Sequence, residues 1–167
     1  MHALKGFSDW LAASPASLGL QGLSWIVPTV QTLHILAIAA VLTSASMINL
    51  RLVGVGARAQ SLAAVSARFG PWVWYAVAVL ALSGSILILI EPARPLTNPI
   101  FFLKLTLIAG VALLMLAISL PLRRDSLYWE RSVRRRTVGW SVAALSWILW
   151  LGVICAGRWI AYTLSAT

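Results

Sequence analysis

The sequence predicts an all-α integral membrane protein: a four-helix bundle with both termini on the outer, periplasmic side of a bacterial inner membrane. Three observations carry this expectation. Apolar residues make up 60% of the 167 residues and charged residues only 10%, against about a quarter in soluble domains. Four apolar runs are long enough to cross a hydrocarbon core, which takes about 20 helical residues. The arginines gather in alternate loops, the pattern that orients a chain in a membrane. The length suits a single transmembrane domain over 1–167 and leaves no room for a soluble domain beside it.

The spans are expected at about 25–50, 72–90, 99–122 and 138–161. Pro28 falls in the first turn of the first span, where proline is tolerated. Gly70-Pro71 reads as the start of the second helix, with proline near its first position, and Glu91-Pro92 as its end. Asn98-Pro99 supplies a side-chain cap and a first-turn proline to the third, and Pro121 reads as its end. Ahead of the first span, Phe7, Trp10 and Leu11 share one helical face, so a short helix over 4–13 is expected to lie on the membrane surface. Met1–Gly22 does not read as a secretory signal peptide, because Asp9, Pro15 and several Ser and Gly interrupt it. Helix contacts are expected through small residues that let backbones approach: Ala40 and Ser44, Ala81 and Ser85, Gly152 and Ala156.

The formal charge of +9 does not point to nucleic acid, because its position explains it. Arg51, Arg58 and Arg68 follow the first span, and Arg123, Arg124, Arg131, Arg134, Arg135 and Arg136 follow the third. Only Asp125 and Glu130 oppose them. The other side holds Lys5, Arg94, Lys104 and Arg158. The arginine-rich side is therefore read as cytoplasmic. Trp25, Trp159 and Tyr162 mark the outer interface, and Trp72, Trp74, Tyr75 and Trp140 the inner one.

Ionisable residues inside a membrane are costly and mark candidate sites. His34, Lys104 and Arg158 are such residues. At helical rise His34 lies about 12 Å into its span and Lys104 about 7 Å into its own. With Gln31, and with Glu91 and Arg94 at the rim, they gather polar groups in the outer half. Two readings stand side by side. In one, Lys104 and Arg158 snorkel to water, Glu91 pairs with one of them, and His34 bonds a backbone carbonyl or Gln31. In the other, the outer half is a cofactor pocket. His34 could ligate the iron of haem b, with Lys104 and Arg158 holding propionates and Trp147 and Trp150 packing on the ring. A quinone, bonded through His34, Gln31, Lys104 or Arg158, is the second ligand. His34 is the sole candidate metal ligand, since His2 is terminal and one cysteine forms no multi-cysteine site. Cys155 reads as a buried, inert residue.

Four strings, His34-Ile35-Leu36-Ala37, Arg51-Leu52-Val53-Gly54, Asn98 to Lys104 and Gly157-Arg158-Trp159-Ile160-Ala161-Tyr162, resemble an uncharacterised family of small bacterial four-helix inner-membrane proteins. The resemblance implies fold and location rather than a reaction. The architecture is also distantly similar to copper-resistance D proteins and b561-type cytochromes, which implies haem ligation by histidine. Here the second intramembrane histidine is missing. The functional expectation is an electron-transfer or accessory subunit binding haem b or a quinone. The alternatives are a structural or accessory protein without cofactor, as a homodimer or part of a larger membrane complex, or a small transporter component acting as an oligomer.

Overall fold

Four long helices dominate the structure, a computed structural model that describes residues 2–55 and 59–162. Arg58 and the side chain of Tyr162 lie outside the described residues. The helices are α1 (His2–Ala12), α2 (Pro15–Gln21), α3 (Ile26–Val53), α4 (Leu62–Ile90), α5 (Ala93–Leu96), α6 (Pro99–Arg124) and α7 (Val133–Tyr162), with no strand among the described residues. The helices α3, α4, α6 and α7 are long and apolar enough to span a membrane, so the chain is a multi-pass membrane protein of all-α fold.

Local chemistry sets the helix ends. Ser61 and Asn98 accept the backbone N–H of Ala64 at 3.1 Å and of Ile100 at 3.0 Å, opening α4 and α6. Ser132 does the same for Arg135 at 3.3 Å at the start of α7. Each bond satisfies one of the four N–H groups that a helix start leaves without a partner. Gly54 closes α3 at φ 87°, the left-handed conformation in which a Cβ is strained. As expected, Pro99 stands in the first turn of α6.

Two prolines depart from expectation. Pro71 does not open α4 but lies inside it, ten residues after Ser61. Pro121 does not end α6, which runs on to Arg124. The physical reason is the difference between a span and a helix. At about 1.5 Å per residue, helices of 26 to 30 residues are about 39–45 Å long and exceed a hydrocarbon core of about 30 Å. The first three turns of α4 therefore project past the ring of Trp72, Trp74 and Tyr75. Outside the core, water can satisfy the carbonyl that a proline leaves unbonded.

In the bundle, α3 packs along α4 and, over a shorter stretch, along α7, while α6 packs along α7 and meets α4 only briefly. Each helix contributes an inward stripe: Val41, Ala45, Ile48 and Leu52 of α3; Leu62, Val65, Val73 and Ala76 of α4; Val111, Met115, Ile118 and Leu122 of α6; Ala143, Trp150 and Val153 of α7. Polar ties cross between the stripes. Fully buried Asn49 donates to Ser146 at 3.0 Å, linking α3 to α7. In α7, Gly152 and Ala156 serve as contact residues as expected. A Cβ on Gly152 would sit 3.2 Å from Leu107 of α6, and Ala156 is buried. By contrast, Ala81 and Ser85 face outward, and Ser83 is the residue of α4 that turns inward.

At one end of the bundle, α1 and α2 fold over the C-terminus of α4. Ser17 donates its hydroxyl to the Leu89 carbonyl at 2.7 Å, and Gln21 donates to the Ile90 carbonyl at 2.9 Å. Both are carbonyls of the last helical turn, which has no internal partners for them. The short helix expected over 4–13 is α1, starting two residues earlier and followed by a second short helix. Phe7 and Trp10 stack at 5.8 Å and stay exposed, whereas Ser8 and Ser17 are buried against the bundle. At the other end, Arg51 ties the two long loops together. Its guanidinium donates to the Gln60 carbonyl at 2.6 Å and pairs with Glu130 at 3.1 Å. The buried Trp129 indole donates to the Ile118 carbonyl at 3.2 Å.

Candidate functional site

The most distinctive polar arrangement is a layer shared by all four long helices. His34 of α3 and Ser83 of α4 are bonded, with Nδ1 to Oγ at 2.7 Å. Ser83 Oγ also lies 2.6 Å from the Val79 carbonyl of its own helix. A serine hydroxyl has one proton, and a carbonyl can only accept. The Ser83 proton therefore goes to Val79, and Ser83 Oγ accepts from His34 Nδ1–H. This assigns the tautomer: Nδ1 carries the proton, and Nε2 keeps a lone pair. The same logic fixes imidazoles that ligate metals through one nitrogen while the other donates.

The ring sits closely against α4. A Cβ on Gly84 would stand 3.6 Å from His34 Cε1, an ordinary contact. Lys104 stands five residues from the start of α6, toward the same end of the bundle. The Lys104 ammonium rests against α7 at Gly157, where a Cβ would lie 3.6 Å from Nζ. His34 and Lys104 are both half-buried. One layer thus offers an acceptor, His34 Nε2, and a donor, Lys104 Nζ, from different helices.

The other sequence candidates are placed differently. Gln31 is exposed and takes no part in the His34 bond, which goes to Ser83 instead. Glu91 pairs with Arg94 at 3.3 Å at the exposed rim, not with Lys104 or Arg158. The reason is local: Arg94 is three residues on and reaches Glu91 without desolvation, whereas Lys104 points inward. Arg158 is exposed on α7. Trp147 is half-buried, and Trp150 is packed into the core at 7% exposure, with its indole N–H unpaired. Trp150 is therefore a packing residue here rather than an open wall for a ring. Cys155 is exposed on α7, not buried as expected, because in lipid an apolar thiol has no reason to turn inward.

Sequence reasoning missed Ser83, Gly84 and Gly157. Their signal is depth. Ser83 lies seven residues from the end of α4, and His34 eight from the start of α3. Likewise, Gly157 lies five from the end of α7 and Lys104 five from the start of α6. In antiparallel neighbours, equal depth means facing layers.

The donor set of the layer fits haem only in part. His34 Nε2 could ligate a haem iron. Among the described residues, no second imidazole joins it, and no group of three His, Cys, Asp or Glu is positioned to hold a metal. Met115 is locked in the core and Met47 faces outward. Among the described residues, one chain therefore supplies one imidazole to a haem iron. Two clefts, one lined by Gly70, Trp74 and Arg123 and one by Tyr128, Trp129 and Arg135, lie toward the arginine-rich end, away from this layer. Comparison with family models, with curated proteins and with solved structures finds no match in any of the three.

Proposed function

We propose that the protein is a bacterial inner-membrane protein with both termini periplasmic, and that its His34–Lys104 layer binds a redox ligand drawn from the bilayer. It would serve as an electron-transfer or accessory subunit. The nine arginines of one end support the orientation, since basic loops are retained in the cytoplasm. The resemblance to small inner-membrane proteins supports the location. The observation that carries the ligand reading is the relay His34 Nδ1–H to Ser83 to the Val79 carbonyl, which leaves Nε2 free to accept.

A quinone or quinol headgroup answers this layer better than haem b. A quinol hydroxyl can donate to His34 Nε2, and a quinone oxygen can accept from Lys104 Nζ. Haem would find a single imidazole, His34, among the described residues. Quinones also partition into lipid and can reach a half-buried ring from the side of the bundle.

The test is an absorption spectrum and a solvent extract of detergent-purified protein, for wild type and His34→Ala. The expected result is a quinone in the wild-type extract at least tenfold above the variant, with no Soret band. A Soret band lost on His34→Ala would replace quinone by haem. Equal extracts from both, with only a stability loss in the variant, would make the layer a structural tie.

A further inference from the structure

We propose a second binding site, for an anionic phospholipid, in the cleft between α4 and α6 at the arginine-rich end. The cleft has a volume of about 590 Å³ and is lined by Ser66, Gly70, Trp74, Tyr75, Ser119 and Arg123 among others. That volume falls in the usual range for sites of small ligands, about 300–1,000 Å³. Its walls come from α4 and α6, which meet only briefly in the bundle. Gly70 leaves room along the α4 wall: a Cβ there would meet nothing within 4 Å.

The chemistry of the walls is graded. Arg123 is exposed and makes no ion pair or hydrogen bond among the described residues, unlike Arg51 and Arg131, which hold Glu130 at 3.1 Å and Asp125 at 2.8 Å. A free guanidinium suits a phosphodiester, which it can bind through two parallel N–H bonds. The hydroxyl of Ser66 adds a donor on the α4 wall, while that of Ser119 donates to the Leu116 carbonyl at 3.4 Å and offers lone pairs to headgroup hydroxyls. Pro71 has no N–H for the Ala67 carbonyl, so the cleft wall also carries an acceptor for headgroup hydroxyls. Beyond the polar end lie Trp74 and Tyr75, exposed at 39% and 68%, which belong at the level of the lipid headgroups. Below them the α4–α6 seam is apolar, as an acyl chain requires. Basic clefts between transmembrane helices at the headgroup level bind anionic lipid in this way. A water-soluble anion would use only the polar end, whereas a phospholipid uses both.

The experiment measures the thermal midpoint of the full chain in detergent. Phosphatidylglycerol, phosphatidylcholine or inorganic phosphate is added at equal concentration. Ligands that bind only the folded state raise the midpoint. Phosphatidylglycerol is expected to raise it by several degrees more than phosphatidylcholine. Arg123→Gln should lose at least half of that difference. Gly70→Leu, which adds bulk at the cleft wall without changing charge, should lose as much. Arg124→Gln, a neighbouring exposed arginine outside the cleft, should keep it. An equal loss in Arg124→Gln, or an undiminished shift in Gly70→Leu, would show general surface charge instead and overturn the site. So would inorganic phosphate acting as well as the lipid.

Discussion

At the scale of single residues, the candidate site depends on where one proton sits. Ser83 gives its proton to a backbone carbonyl and so forces His34 to donate through Nδ1. Replacing Ser83 by Ala should cost about 1 kcal/mol, the usual size of an interhelical bond in a membrane, read as a lower thermal midpoint in detergent. It should also lower ligand retention, because the ring loses its anchor. Gly157 makes the complementary case. Gly157→Ala places a methyl in ordinary contact with the Lys104 ammonium and should be tolerated, whereas Gly157→Leu should displace it and cut retention severalfold. His34 and Lys104 could be read from the sequence because a titratable group in an apolar run stands out. Ser83 could not, since serine is common in membrane helices and its partner is on another helix.

At the scale of elements, the long helices are apolar on all sides, so periodicity shows no inward face. That is why Ala81 and Ser85 looked as plausible as Ser83. Helix existence was legible from run length, and the caps Asn98 and Gly54 from residue type. The extra turns of α4 and α7 were not, because a hydropathy window ends where the membrane does and the helix does not. The short N-terminal helices have a clearer task than their composition suggested: they cap α4. Ser17→Ala with Gln21→Ala removes two donors from the Leu89 and Ile90 carbonyls. We expect a loss of about 1–3 kcal/mol for the pair, measured by thermal unfolding, against less than about 0.5 kcal/mol for exposed Gln31→Ala.

At the scale of the molecule, polarity is divided between two ends. One end carries nine arginines by sequence, and the other the His34–Lys104 layer beneath α1 and α2. The orientation is checked with single cysteines in a Cys155→Ala background. A membrane-impermeant thiol reagent applied from the periplasm should label Ser24→Cys and spare Ser126→Cys; the reverse pattern would invert the protein. The four-span fold was legible because lipid demands it. The site was legible only as a set of candidates, because which of them meet depends on helix pairing. The most direct measurement of the central claim is ¹⁵N NMR of the histidine rings. With only His2 and His34 in the chain, the His34 ring nitrogens can be assigned by comparison with His34→Ala. The expected spectrum shows a protonated Nδ1 and an unprotonated Nε2 that shifts when a short-chain quinol is added. A His34 ring protonated at Nε2, or one indifferent to the quinol, would contradict the site.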